Sequence, residues 1–262
     1  MSAARLGRGA CGIAVAAATS LAVATAAWGV EEPIRCVVVE LFVDGAQAES
    51  QAALAAAERF AGSRRGVHLV VRQAGLDVPP EARGRQRLQQ LAAHFQFDPA
   101  RLPVAYCCNQ AIGPERLLPQ GGAATAAEGA LAEALRLCVY VRTGCSRCAA
   151  AKQMLAGLLP RYPGMELVFI DIAGQPSSAA ALAELARRYR TSAASVPAFH
   201  FCNQLTVGFD AANTAARLEQ VLQKWTAACP AESGAAAARD DGAAAGVVQA
   251  AGSSEGARRP PF

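Results

Sequence analysis

Apolar positions along this chain follow two rhythms. Short runs rich in β-branched and aromatic residues, such as Leu137-Cys138-Val139-Tyr140-Val141 and Leu167-Val168-Phe169-Ile170, are bounded by polar or turn residues and predict strands. Between them lie Ala-rich stretches with apolar residues at helical spacing. In the second half, strands are expected at about 137–142, 165–171, 197–202 and 205–209. Helices are expected at about 147–159, 178–189 and 211–228. Strands and helices alternating at short spacing, then a hairpin, predict a small α/β sandwich with a mixed sheet.

The same order occurs twice. Leu102-Pro103-Val104-Ala105-Tyr106-Cys107-Cys108-Asn109-Gln110 matches Val196-Pro197-Ala198-Phe199-His200-Phe201-Cys202-Asn203-Gln204, and Leu91-Ala92-Ala93-His94-Phe95 matches Leu185-Ala186-Arg187-Arg188-Tyr189, all at an offset of 94. Upstream, His68-Leu69-Val70-Val71 matches Glu166-Leu167-Val168-Phe169 at an offset of 98. Four extra residues around Pro79-Pro80 account for the difference. A repeat of this kind predicts two copies of one unit. Each copy reads strand, helix, strand, helix, strand, strand, helix.

The copies differ in chemistry. In the second, Val139-Tyr140-Val141-Arg142-Thr143-Gly144 leads into Cys145-Ser146-Arg147-Cys148 and then a helical run. A first thiol at a strand-to-helix junction meets the unpaired amides and positive end of the helix dipole. Such a setting lowers a cysteine pKa from about 8.5 to ~3.5–7.5 and yields the reactive thiolate. Cys148, one turn further on, is expected to be more buried and to resolve a mixed disulfide formed at Cys145. Arg142 and Arg147 add positive charge nearby. In the first copy the corresponding stretch is read as Gly45-Ala46-Gln47-Ala48-Glu49, with Ala46 and Glu49 in the cysteine positions. That copy is expected to keep the fold and lack redox chemistry.

These residues resemble the thioredoxin superfamily, and the second copy resembles its glutaredoxin-type members through roughly residues 136–228. The resemblance rests on the strand–CxxC–helix, the strand ending at Asp171, Ser195-Val196-Pro197, the hairpin ending Val207-Gly208-Phe209-Asp210, and a final amphipathic helix. It implies two tandem thioredoxin-like α/β three-layer sandwiches, each with a mixed four-stranded sheet. It also implies a cis Val196–Pro197 bond beside the CxxC, where the backbone of Val196 pairs with an extended substrate. Asp210 stands where the family places a glutathione-binding acid, and Arg142 where it places a basic residue. Glu40 resembles in position a buried acid of thioredoxins. Two departures are plain: Ser146 and Arg147 replace the usual proline or aromatic between the cysteines, and no tryptophan precedes Cys145. The activity implied is thiol–disulfide exchange with protein thiols and disulfides, with no cofactor beyond the Cys145/Cys148 disulfide, glutathione aside. A redox-inactive first copy, residues 33–135, then serves docking or spacing, and residues 136–229 carry the active site.

Composition sharpens the setting. Arg5 and Arg8 precede an apolar stretch from Ile13 to Ala27 ending in small residues, the pattern of a signal peptide over residues 1–29, or of a retained N-terminal anchor. Export places the chain in an oxidising periplasmic or extracytoplasmic compartment where disulfides persist. A membrane thiol reductase is then the expected electron donor. The net charge is +4 with no basic cluster interleaved with aromatics, so no nucleic-acid partner is expected. Residues 230–262 are Ala, Gly, Ser, Arg and Pro without a hydrophobic period, and read as a disordered tail. Of the remaining cysteines, Cys138 with Cys202, and Cys36 with Cys107 or Cys108, are candidates for cross-strand bridges, against free buried thiols. Cys229 has no evident partner. His68, His94 and His200 read as core or surface filler rather than ligands. Asn109-Gln110 and Asn203-Gln204 read as turn starts. Two alternatives stay open: a soft-metal (copper) carrier using the CxxC thiolates, although Thr143 stands where such domains usually carry Met, and a non-catalytic adaptor.

Overall fold

The strand-forming runs assemble into two mixed sheets. The computed structural model describes residues 33–118, 125–191, 195–229 and 238–239, so the expected leader lies outside the described residues. The first half comprises β1 (Arg35–Val43), α1 (Ala48–Ser63), β2 (Val67–Gln73), α2 (Arg83–Phe95), β3 (Val104–Cys107), β4 (Gln110–Ile112), α3 (Pro114–Leu117) and α4 (Thr125–Ala134). The second comprises β5 (Arg136–Val141), α5 (Ser146–Leu158), β6 (Glu166–Asp171), α6 (Pro176–Arg188), β7 (Ala198–Phe201), β8 (Gln204–Val207) and α7 (Thr214–Trp225). Then come β9 (Thr226–Ala228) and β10 (Ala238–Arg239). Each expected element of the second half is present, its ends displaced by at most three residues.

The two sheets share one plan. β1 pairs parallel with β2 and antiparallel with β3, which pairs with β4. β5 likewise pairs with β6 and β7, and β7 with β8. The second sheet has the expected four strands; the first has six. The reason is strand length. β3 covers only Glu40 to Phe42 of β1, which leaves the start of that long strand open. β9 fills the gap, pairing Cys36 with Ala227, so the end of the second half completes the first half's sheet. β10 adds a parallel rung on β2, where the sequence reads as disordered tail.

Side chains alternate across each sheet, as a period of two requires. On β1, Val37, Val39, Leu41 and Val43 face a large core that includes Ala57 and Phe60 of α1 and Leu131 of α4. Leu137, Val139 and Val141 of β5 join the same core, with Leu155 of α5 and Leu218 of α7. On the opposite faces, Phe42 packs with Leu88 and Leu91 of α2, and Tyr140 with Leu182 of α6. The central core therefore draws on both sheets.

Equivalent residues of the two halves meet each other. Gly66, in the loop before β2, and Gly164, in the loop before β6, approach so closely that a Cβ on Gly164 would lie 2.1 Å from the Gly66 carbonyl oxygen. A residue touching its own counterpart marks a two-fold axis. The hairpins repeat as well. Cys108 and Asn109 have φ of 46° and 58°, and Cys202 and Asn203 have 47° and 55°. Positive φ at both central residues is the two-residue hairpin turn matched to strand twist. The turns are thus Cys-Asn, one residue earlier than expected, and Gln110 and Gln204 already begin the return strands.

Candidate thiol site

The pairing register builds the site. β7 runs antiparallel to β5, with Tyr140 opposite Ala198. Continuing this register brings Pro197 level with Val141, at the strand end that feeds the CxxC loop. The Val196–Pro197 bond is cis, as is Leu102–Pro103 in the first half. The Gly208 amide donates to the Pro197 carbonyl at 2.9 Å and holds the segment against the hairpin. Cys145 and Val196 both pack on the edge of the central core.

Cys145 is the N-cap of α5, in extended backbone, and its Sγ accepts the Cys148 amide at 3.2 Å. It is partly exposed, whereas Cys148 lies inside the first turn with 2% exposure. Both thiols are free. The two are pushed in opposite directions. The Cys145 thiol is held below its ordinary value by the Cys148 thiol, then by the Cys148 and Arg147 amides and the Arg142 charge. Burial, then the Cys145 thiol, raises Cys148, and the Arg142 backbone and charge offset part of the rise. Of the two arginines, Arg142 acts through its charge, and Arg147 through its backbone amide. That second contribution is invisible to side-chain reasoning; the N-cap position of the first cysteine is its only sequence signal. The pair comprises an accessible thiol with a lowered pKa and a buried thiol with a raised one, which is the equipment for attack on a disulfide and for its resolution.

Two further groups shape the loop. Thr143 Oγ1 donates to Asp171 at the end of β6, and that bond, with the Ala173 amide, holds the Asp171 carboxyl below its ordinary value. Asp210 is occupied locally: Oδ1 accepts the Ala212 amide, Oδ2 accepts the Asn213 side chain, and the Asp210 amide donates to Thr214 Oγ1.

The first half shows what replaces the pair. The N-cap of α1 is Gln47, so Gln47 and Ser50, rather than Ala46 and Glu49, occupy the positions of Cys145 and Cys148. The strand registers agree, since Val43 ends its ladder as Val141 does. Ser50 is fully buried, and its Oγ accepts the Asp44 amide at 3.0 Å. Asp44 stands where Arg142 does, and its carboxylate takes the Gln47 side chain at 2.9 Å. A hydroxyl thus fills the place of the buried thiol. Gly45 and Gly144 are therefore not equivalent, because the helix start sets the register and Gln47 lies at the place of Cys145. Glu40 is buried and ion-paired with both Arg72 at 2.7 Å and Arg87 at 3.2 Å.

The other cysteines are arranged differently from the sequence expectation. Cys36 is bonded to Cys229, with Cα atoms 4.9 Å apart, rather than to Cys107 or Cys108. Pairing of β9 with β1 brings the two together, and Cys107 and Cys108 face the central core. Cys138 lies opposite His200 and on the α6 face of its sheet, while Cys202 lies in the central core. A sheet separates them, so they form no bridge. His200 meets the Tyr189 hydroxyl at 3.2 Å, and burial lowers its pKa, consistent with a packing role. Among the described residues, no cluster of three or more metal-ligating side chains occurs, and no helix is long and apolar enough to cross a membrane.

No family model and no curated protein matches the chain. Among solved structures, it is similar to the NTD_N/C domain of alkylhydroperoxide reductase AhpF from Enterococcus faecalis, with 14% identity over 72% of this chain and 92% of that one and a TM-score of 0.25. A mutant AhpF from the same organism gives 15% identity over 72% of this chain and 91% of that one, with a TM-score of 0.24.

Proposed function

We propose that this chain is a thiol–disulfide oxidoreductase built on two tandem thioredoxin-like units, with its only redox centre in the second. The observation that carries the reading is the opposed state of the two thiols: Cys145 partly exposed and acidified at a helix N-cap, Cys148 buried and kept protonated beneath it. The Cys145 thiolate attacks one sulfur of a substrate disulfide, and the other sulfur leaves as a thiolate that takes a proton from solvent. Cys148 then loses its proton and attacks Cys145 in the mixed disulfide. The second substrate sulfur is released as a thiol, and the Cys145–Cys148 disulfide remains. One disulfide is reduced as one dithiol is oxidised, and the reverse direction oxidises substrate. The backbone of Val196 pairs with the extended substrate, since a proline at position 197 offers no competing amide. Arg142 tunes the thiolate. The first unit, with Gln47 and Ser50 in place of the cysteines, serves docking or spacing. Export to an oxidising compartment, and electrons from a membrane thiol reductase, complete the reading.

Insulin reduction in the presence of dithiothreitol tests it. Cys145→Ser should abolish turnover, and Cys148→Ser should accumulate the mixed disulfide. Unchanged activity in Cys145→Ser would refute the mechanism.

A further inference from the structure

Two thiols outside the redox centre occupy equivalent positions in the two halves. Cys108 and Cys202 are the first central residues of the two equivalent hairpin turns, with φ of 46° and 47°. They are 2% and 1% exposed and belong to the same core cluster. Both are free thiols, and the Cys202 thiol lies close enough to Cys108 to push its pKa up. The arrangement follows from the repeat. At a two-fold axis a residue faces its own counterpart, and one cysteine carried by the repeated unit therefore becomes a facing pair. Gly66 and Gly164 show the same relation elsewhere on the molecule. Neither Cys107 nor Cys138 shares it: Cys138 lies on the other face of its sheet, and the residue equivalent to Cys107 is Phe201.

We propose that Cys108 and Cys202 form a disulfide that clamps the two halves together at their hairpins, a second cross-half bond beside Cys36–Cys229. The oxidant is a low-molecular-weight disulfide. One protein thiolate attacks it to give a mixed disulfide and one small thiol; the second protein thiolate attacks that mixed disulfide and releases the other small thiol. Two protein thiols are oxidised to one disulfide as one small disulfide is reduced to two thiols. In the closed core the pair is sheltered, and the Cys202 thiol, then burial, pushes the Cys108 thiol well above its ordinary value. The exchange therefore belongs to folding, before the hairpins close on each other. It needs neither Cys145 nor Cys148, so the proposal stands apart from the catalytic reading.

The test is a disulfide map of the full chain. The protein, and a Cys145→Ser/Cys148→Ser form, are refolded in oxidised and reduced glutathione. Remaining thiols are blocked with N-ethylmaleimide in denaturant, and the chain is digested without reductant for mass spectrometry. The expected map joins the Cys108 peptide to the Cys202 peptide in both forms, and leaves Cys107 and Cys138 alkylated. Because Cys107 adjoins Cys108, the assignment is repeated with Cys107→Ala, which should keep the link, and Cys108→Ala, which should lose it. Alkylation of both Cys108 and Cys202 in a chain whose Cys36–Cys229 link is intact would overturn the proposal. So would a map joining Cys202 to Cys107 or Cys138. The unsubstituted chain gives the answer by itself if a variant fails to fold.

Discussion

Removal of the Cys36–Cys229 bond should expose how strongly the last turn of the chain holds the first strand. The bond closes a loop with a sequence separation of 193 that contains the second sheet and all but the edge strand β10 and the first residue of β1 in the first. The loop-entropy relation gives about 5 kcal/mol for a loop of that length, near the top of the range seen for native disulfides. Non-covalent contacts at the junction remain: Arg35 donates to Thr226 Oγ1 at 2.9 Å and to the Thr226 carbonyl at 2.8 Å, and β9 stays paired with β1. These keep the native state intact while the unfolded chain gains freedom, so the cost falls on the unfolded side of the equilibrium. Cys36→Ala/Cys229→Ala is the suitable variant, because Cys36 is buried and alanine adds no unpaired hydroxyl there. Guanidinium chloride unfolding, followed by tryptophan fluorescence under oxidising conditions, reads the effect. With a slope of about 5 kcal/mol per molar for a chain of this size, the midpoint should fall by about 1 M. A fall of less than about 0.2 M, about 1 kcal/mol on that slope, would refute the reasoning. It would show that the loop is already closed in the unfolded state or that the bond is not formed.

Four further outcomes are expected. The alkylation rate of Cys145 by iodoacetamide should rise with pH through an apparent pKa below that of an ordinary thiol, about 8.5; Arg142→Ala should move the inflection upward, and an unmoved inflection would remove Arg142 from the site. The same depressed pKa gives a thiolate stabilisation that is fully present above the unfolded value and fades as pH falls through the folded value, so the reduced form should lose stability there in acid denaturation series. Gln47→Cys/Ser50→Cys should install a dithiol in the first half that closes to a disulfide, seen as two fewer alkylatable thiols after oxidation, whereas Ala46→Cys/Glu49→Cys should not. Gly164→Ala should destabilise by about 1–3 kcal/mol in urea unfolding, since its Cβ would strike the Gly66 carbonyl and overpacking of this kind costs that much.

Local chemistry was readable in advance where it depends on neighbours in sequence. The alternation of strand and helix, the hairpins and the cysteine at a helix start all follow from short-range pattern, and the observed elements of the second half lie within a few residues of expectation. The four inserted residues around Pro79-Pro80 fall in the loop between β2 and α2, as the two offsets require. Matching Ala46 to Cys145 failed for a local reason too: a glycine match outweighed the helix start, and Gln47 is the true N-cap. Ser50 as the stand-in for Cys148 emerges only once its hydroxyl is seen accepting the Asp44 amide.

By itself the sequence predicted an α/β chain in which one order of strands and helices occurs twice, with a pair of thiols one helical turn apart only in the second stretch. Periodicity and turn chemistry are local, and a repeat is visible without coordinates. Only the tertiary structure decided which distant cysteines meet. Side-chain alternation puts Cys138 and Cys202 on opposite faces of a sheet, the overhang of β1 draws Cys229 back to Cys36, and packing of the two halves buries Cys108 and Cys202 in one core. Those contacts join residues far apart in the chain, and their partners are chosen by packing of the two halves rather than by any neighbour in sequence.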